Sequence, residues 1–267
     1  MKKKLHLSDR TKRCLRFLPN LLTICNSLCG FLAILCTLQV YRLDTADRLG
    51  VFCISSIMIF SAMVFDAFDG FAARALNAAS IHGIQMDSLA DMVTFGVAPA
   101  TIVVIMTDTL KEGVMAPWQI VMVYLLCSVY IGCAALRLAT YNVHAMSQDK
   151  KGDPAFFSGL PSPGAAAAIC VVVFFAHETK LQVEQFAFIL PVYAAILGFL
   201  MVSKVPYIHA GRWLFSARKS KRKMLILAVM IAIAAIFRTS GIASMVTIYV
   251  ISGPLTALFR ICNGEKK

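Results

Sequence analysis

The sequence predicts an all-α polytopic membrane protein with about eight membrane-spanning helices. Hydrophobic residues make up 59% of the 267-residue chain and charged residues only 15%, whereas soluble globular domains contain about 45–50% and about 25%. The mean hydropathy is +0.74, and a soluble chain of this size cannot cover so much apolar surface with so few charges. The composition therefore excludes a disordered chain, a disulfide-rich scaffold and an ordinary cytosolic enzyme.

Eight apolar runs approach the length of about 20 residues that a helix needs to cross a bilayer. They cover residues 17–40, 49–73, 88–110, 117–141, 156–177, 186–203, 223–237 and 241–259. The first run is too long for the apolar part of a signal peptide, so we expect it to be a retained helix. The seventh run is short, and only Arg238 to Ser240 separate it from the eighth. We therefore predict a helical hairpin there, although seven spans also fit the sequence.

Charged segments divide the chain into five parts. A basic arm (1–16) precedes a six-helix catalytic membrane core (17–203), and a basic linker (204–222) follows that core. The predicted C-terminal hairpin (223–260) leads into a short tail (261–267).

The positive charges indicate how the spans are oriented. With the N-terminus inside, the inner segments hold 21 of the 26 Lys and Arg residues, and the outer segments hold five. Positive residues accumulate on the cytoplasmic side of membrane proteins, so both termini are expected in the cytoplasm. The net charge of +12 is therefore interpreted as an orientation signal and an attraction to anionic membrane lipids. No nucleic-acid partner is expected.

Four of the 14 acidic residues lie where a carboxylate is costly: Asp66, Asp69, Asp87 and Asp91 stand at the inner end of the second span and the start of the third. A carboxylate within a span costs about 2.5–3.5 kcal/mol, and four close together repel one another. The i,i+3 and i,i+4 spacings place each pair on one helix face, and the short linker makes the two helices neighbours. Bound cations would stabilise this cluster, and oxygen ligands favour Mg²⁺ or Mn²⁺ over zinc.

Such a centre suits a particular chemistry. Carboxylates at the cytoplasmic edge, beside the single basic residue Arg74, can hold a pyrophosphate between two cations, which support the attacking and leaving oxygens of an in-line displacement. One carboxylate then takes the proton of the attacking hydroxyl. Two other interpretations are open: helix-end carboxylates that reach towards water, and the ion site of a cation transporter. A transporter would place acidic groups near the midplane, with broken helices in both halves.

The aspartates belong to a longer pattern. It reads Asp66-x₂-Asp69-Gly70-x₂-Ala73-Arg74-x₈-Gly83-x₃-Asp87-x₃-Asp91. This pattern resembles the signature of the CDP-alcohol phosphotransferases, which transfer a phosphatidyl or related group from a CDP-linked donor to an alcohol and release CMP. The resemblance implies a core of six helices with a polar cavity open to the cytoplasm, and commonly a homodimer. The last two spans lie beyond that core.

The resemblance also implies roles for individual residues. Asp66, Asp69 and Asp87 would hold a two-metal centre, and Asp91 would be the general base and a further metal ligand. The Pro19-Asn20-x₂-Thr23 element on the first span resembles a nucleotide-binding element of the family. The expected donor-binding residues are Thr23, Gly70, Ala73, Arg74 and Gly83, with Gly70 and Ala73 at the cytidine and Arg74 at the diphosphate.

Four further segments indicate which alcohol is the acceptor. Residues 26–31, 87–100, 136–142 and 157–164 resemble the bacterial, membrane-embedded branch of the family that uses L-serine. The expected reaction converts CDP-diacylglycerol and L-serine to phosphatidylserine and CMP by direct displacement. The expected location is the bacterial inner membrane, with the active site facing the cytoplasm.

The residues themselves favour a zwitterionic acceptor. Arg137 lies near the inner end of the fourth span, where a charge is costly, and can meet a carboxylate. Asn26, Asn142 and Ser162 add neutral polar groups, so these four are the expected serine-binding residues. Glycerol 3-phosphate, inositol phosphate and choline remain alternative acceptors, although a phosphorylated acceptor should require more basic residues near the core.

Overall fold

Helices make up nearly all of the described chain in the computed structural model, as expected for a sequence rich in Leu, Ala and Met. The structure describes residues 9–43, 45–76, 80–110, 115–146, 156–179, 188–208 and 221–262. Half of the predicted basic arm and most of the predicted basic linker and tail lie outside these residues.

The described helices follow one another in chain order. They are α1 (Asp9–Leu38), α2 (Thr45–Ala75), α3 (Ile81–Asp91), α4 (Ala98–Leu110), α5 (Pro117–Met146), α6 (Ser162–Thr179), α7 (Ile189–Val202) and α8 (Lys221–Cys262). A 3₁₀ turn (Gln39–Arg42) follows α1, and a π-helical turn (Met92–Val97) joins α3 to α4 without a break. Two short strands, β1 (Phe156–Ser158) and β2 (Pro206–Ile208), pair in antiparallel fashion.

Six segments of the described chain are long and apolar enough to cross a membrane. They are Phe17–Arg42, Asp47–Ala73, Ile81–Leu110, Pro117–Val143, Ser162–Thr179 and Ser240–Phe259. The apolar helix α7 is shorter. The all-α polytopic membrane fold is therefore confirmed, whereas the total of eight spans and the cytoplasmic position of both termini stay predictions.

The C-terminal region differs from the predicted hairpin. Instead of two helices that reverse direction at Arg238 to Ser240, α8 continues as one helix from Lys221 to Cys262. Three residues without a proline do not force a reversal, and a single glycine such as Gly241 costs a helix only about 1 kcal/mol. At about 1.5 Å per residue, 42 residues extend roughly 63 Å, about twice the thickness of a bilayer core. Of this length, Ser240–Phe259 is the membrane-length segment.

The entrance to α6 also differs from the predicted fifth span (156–177), because the helix begins only at Ser162. The preceding residues form β1, and Gly159 then turns the chain with a φ of 86°, a conformation that side chains other than glycine rarely adopt. The N–H of Gly159 donates to the carbonyl of Val205 at 2.9 Å. The two-stranded ladder therefore ties the start of α6 to the end of α7.

A close contact with α1 fixes the π-helical turn. A Cβ added at Gly30 would lie 2.8 Å from the backbone Cα of Thr94, so only glycine permits this approach. The Thr94 hydroxyl donates to the carbonyl of Asn26 at 3.1 Å, and the Tyr130 hydroxyl donates to the carbonyl of Phe95 at 2.8 Å. A π turn disturbs the regular backbone pairing of a helix, and these hydroxyls hold it in place beside α1.

Gly30→Ala is expected to destabilise the protein in detergent by about 1–3 kcal/mol, because overpacking forces a tightly packed neighbour to shift. Gly132→Ala on α5 is the matched control, since a Cβ there meets nothing within 4 Å and alanine favours the helix. Thermal unfolding followed by circular dichroism measures both variants. Equal unfolding temperatures would contradict the tight contact at Gly30.

Candidate active site

Three carboxylates converge between α2 and α3. One oxygen atom each from Asp66, Asp69 and Asp87 lies within 4.8 Å of the other two. The i,i+3 spacing places the first two on one face of α2, and α3 begins soon after α2 ends. Asp69 is only 4% exposed, and the other two are half-buried. Like charges at this separation repel strongly, so the ionised cluster needs a compensating cation.

The Pro-Asn-x₂-Thr element of α1 orients one of these carboxylates. The hydroxyl of Thr23 donates to Oδ2 of Asp69 at 2.8 Å, and the carbonyl of Pro19 is a second acceptor at 3.0 Å. Because Thr23 is itself fixed on α1, its hydrogen bond holds the Asp69 carboxylate in one orientation. The structure thus joins the Thr23 element to the aspartate signature, a contact that the sequence did not predict.

The N-terminus of α3 is built against the same element. Ser80 is in an extended conformation and its hydroxyl accepts from the N–H of Gly83 at 3.0 Å, which caps the helix. A Cβ added at Gly83 would lie 3.2 Å from the Ser80 hydroxyl oxygen and 3.8 Å from Oδ1 of Asn20. The cap therefore starts α3 at a defined residue and places Asp87 one to two turns later.

Asp91 lies outside the 4.8 Å group but close enough to interact electrostatically with all three of its carboxylates. It is 9% exposed, and its Oδ1 accepts from Nδ2 of Asn26 at 3.1 Å. Arg137 on α5 interacts electrostatically with Asp91. Of the four predicted metal ligands, three lie within 4.8 Å of one another, and the fourth, Asp91, lies beside them and is bonded to Asn26; the ligand role of all four stays a prediction. This arrangement follows from the contact with α1, which sequence spacing does not reveal.

The three clustered residues fit a hard divalent cation. Oδ1 of Asp87 is buried and has no hydrogen-bond partner among the described residues, and a buried acceptor without a partner is costly. Carboxylate oxygens are the ligands that Mg²⁺ and Mn²⁺ prefer. The acidic cluster can therefore bind a metal ion through Asp66, Asp69 and Asp87.

The predicted acceptor residues lie on two sides of Asp91. Nη1 of Arg137 donates to the hydroxyl of Ser162 at 2.9 Å, which joins α5 to the start of α6. Oδ1 of Asn142 accepts from the hydroxyl of Ser88 on α3 at 2.8 Å. Asn26 and Arg137 thus interact with Asp91 itself, whereas Ser162 acts on Arg137 and Asn142 binds Ser88.

A mainly apolar groove of about 260 Å³ opens between α1 and α3. Its lining residues are Thr23, Ile24, Ser27, Leu28, Met86, Leu89, Ala90 and Val93. Thr23, which bonds to Asp69, is also one of the residues that line the groove.

Residues 16–200 match the family of CDP-alcohol phosphatidyltransferases. This match covers more than half of the chain and contains the aspartate cluster, Thr23 and Arg137. The chain belongs to the CDP-alcohol phosphatidyltransferase family. The predicted family resemblance is confirmed, and the carboxylate cluster coincides with the signature that carried it.

Several relatives of this phosphatidyltransferase have names that specify an acceptor. The CDP-diacylglycerol–serine O-phosphatidyltransferase of Bacillus subtilis is 32% identical over 210 residues, which cover 74% of this chain and 99% of the relative. The enzyme of the same name from Mycobacterium tuberculosis is 33% identical over 159 residues, 58% of this chain and 48% of the relative. The archaetidylserine synthase of Methanothermobacter thermautotrophicus is 31% identical over 193 residues, 71% of this chain and 69% of the relative.

The remaining predicted donor residues are less well defined in this phosphatidyltransferase. Gly70 and Ala73 lie half-buried on α2, next to the cluster in sequence, and the side chain of Arg74 lies outside the described part. Two serines near the site were not predicted from the sequence: Ser80, which caps α3, and Ser88, which bonds to Asn142. A serine just before a helical segment is a recognisable cap signal, whereas the bond from Ser88 to Asn142 depends on how α3 and α5 pack.

Asp87→Asn is expected to weaken Mn²⁺ binding by at least about tenfold, because it removes one charged ligand and preserves the shape of the side chain. Asp108→Asn is the control: this aspartate lies on α4 and accepts from the hydroxyl of Tyr41. Titration of each purified variant with Mn²⁺, followed by electron paramagnetic resonance, measures the affinity. Wild-type affinity in Asp87→Asn would show that the cluster is not the binding site.

Proposed function

We propose that this phosphatidyltransferase transfers the phosphatidyl group of CDP-diacylglycerol to the hydroxyl of L-serine, giving phosphatidylserine and CMP. The names of the bacterial relatives support serine as the acceptor. The observation that carries the proposal is the convergence of Asp66, Asp69 and Asp87 beside a separate carboxylate, Asp91, which interacts with Arg137. One side of this site suits a diphosphate, and the other suits a zwitterionic alcohol.

The donor lies on the side of α1, α2 and the N-terminus of α3. The small residues Gly70, Ala73 and Gly83 leave room for the cytidine and ribose near the backbone, and Arg74 meets the diphosphate. Thr23 keeps Asp69 oriented towards that diphosphate. The apolar groove that begins at Thr23 suits part of the diacylglycerol.

A pair of divalent cations, Mg²⁺ or Mn²⁺, held by Asp66, Asp69 and Asp87 would supply positive charge to the diphosphate. Asp91 receives the proton of the serine hydroxyl as the hydroxyl oxygen bonds to the lipid-side phosphorus and the bond from that phosphorus to CMP breaks. The hydrogen bond from Asn26 orients Asp91 for this transfer. Both substrates react directly, so no covalent intermediate with the protein forms.

Four polar residues bind the acceptor. Arg137 pairs with the serine carboxylate, and Ser162 orients its guanidinium. Oδ1 of Asn26 is fully buried and has no hydrogen-bond partner among the described residues, so it suits a donor such as the serine ammonium group. Asn142, whose Oδ1 accepts a hydrogen bond from Ser88 on α3, is the fourth residue on the acceptor side of the site.

The surroundings of the enzyme are proposed from its charge distribution and its relatives. Seven Lys and Arg residues in the N-terminal arm, and seven more between residues 204 and 223, support a cytoplasmic N-terminus and an active site at the cytoplasmic face under the positive-inside rule. The bacterial relatives support a location in the inner membrane. The proposed assembly is a homodimer in contact with anionic lipids.

Purified protein supplied with CDP-diacylglycerol and Mn²⁺ is expected to release CMP with L-serine at least about ten times faster than with glycerol 3-phosphate, inositol phosphate or choline. The rate of CMP release measures this preference. Excess EDTA should abolish release, and added Mn²⁺ should restore it. A preference for a phosphorylated alcohol would assign another acceptor, and full activity in EDTA would contradict the metal site.

A further inference from the structure

The C-terminal helix reaches the acceptor side of the site, although it lies beyond the family match at 16–200. Tyr249 of α8 packs against Gly164 near the start of α6, where an added Cβ would lie 3.2 Å from Cε1 of the tyrosine ring. Gly164 is two residues from Ser162, which accepts the hydrogen bond from Arg137. The tyrosine therefore packs against the first turn of α6, the turn that also carries the hydrogen-bond partner of the guanidinium that the proposed function assigns to serine.

Tyr249 also lies close enough to Arg137 for the two residues to interact electrostatically. An arginine within a span is costly unless polar groups surround it. Here Ser162, Tyr249 and Asp91 interact with it from α6, α8 and α3. The side chain of arginine has many rotamers, so its partners decide where the guanidinium lies.

The position of Tyr249 is itself fixed by β2. Tyr207 on that strand is 1% exposed, and its hydroxyl donates to the carbonyl of Val250 at 2.9 Å. The rings of Tyr207 and Tyr249 lie 5.7 Å apart between centroids. Gly253 packs against the same Tyr207 ring so closely that a Cβ would clash. The contacts of Tyr207 on β2 thus fix the axial position and the rotation of α8 relative to α6.

We propose that Tyr249 is a positioning residue for Arg137, so that the C-terminal helix helps the enzyme to bind the carboxylate of its acceptor. This inference rests on the proposed function, in which Arg137 binds the serine carboxylate. Because Tyr249 contacts Gly164 and Tyr207, α8 holds the phenol of this tyrosine on the side of the Arg137 guanidinium. The phenol then limits the movement of that guanidinium. The acceptor class that benefits is an alcohol that carries a carboxylate.

The test compares Tyr249→Phe with wild-type enzyme in CMP release at varied L-serine. The substitution keeps the ring and removes the phenol oxygen, so we expect KM for serine to rise about five- to tenfold, the usual size of one lost polar contact. We expect kcat and KM for CDP-diacylglycerol to change less than about twofold. Ile248→Ala on the same helix is the control, because Ile248 is 68% exposed.

A double-mutant cycle separates positioning from general stability. If Tyr249 acts through Arg137, Tyr249→Phe should leave KM for serine unchanged in an Arg137→Gln background, because coupled residues are not additive. An equal rise in KM in both backgrounds, or wild-type KM in Tyr249→Phe, would overturn the inference. If the proposed function itself were wrong, the wild-type enzyme would not release CMP with serine. That result is distinct from any change in KM among the variants.

Discussion

The repulsion among three carboxylates at the end of two apolar helices is the constraint on which the rest of the structure depends. Oxygen atoms of Asp66, Asp69 and Asp87 lie within 4.8 Å of one another, in a region where even one carboxylate costs about 2.5–3.5 kcal/mol. The fold does not relieve this by separating them. Instead, Thr23 fixes Asp69, and an oxygen of Asp87 has no hydrogen-bond partner in the described chain. The repulsion among the carboxylates therefore lowers the stability of the fold, and the same negative charge makes the site attract cations.

The first helix gives the four aspartates two different environments. Thr23 contacts the cluster, and one turn later Asn26 donates to Asp91 through its side chain and accepts from Thr94 through its carbonyl. This arrangement needs the π-helical turn to lie close to α1, which Gly30 permits. A single helix therefore orients one carboxylate of the cluster, Asp69, and the neighbouring carboxylate of Asp91. Overpacking at Gly30 would disturb both the fold and this arrangement.

Sequence reasoning succeeded where the signal is local. The apolar runs predicted the membrane-length helices, and the i,i+3 and i,i+4 spacings predicted paired carboxylates, since both follow from helix geometry. The separation of Asp91, the π-helical turn and the pairing of β1 with β2 depend on contacts between distant segments, which leave no periodic pattern. The continuous α8 was missed because a short polar interruption fits a helix as well as a turn. Tyr249 had no local signal, because its neighbours Gly164 and Tyr207 are far away in sequence.

The proposed division of the aspartates into three cation ligands and one base is tested most directly by comparing Asp69→Asn with Asp91→Asn for both Mn²⁺ affinity and CMP release. Both variants should lose release by about 10²- to 10⁴-fold, the usual contribution of a general base. Asp91→Asn should keep wild-type affinity for Mn²⁺ and for CDP-diacylglycerol, whereas Asp69→Asn should lose Mn²⁺. If Asp91→Asn instead lost Mn²⁺ as completely as Asp69→Asn, Asp91 would be a ligand and the division would be wrong.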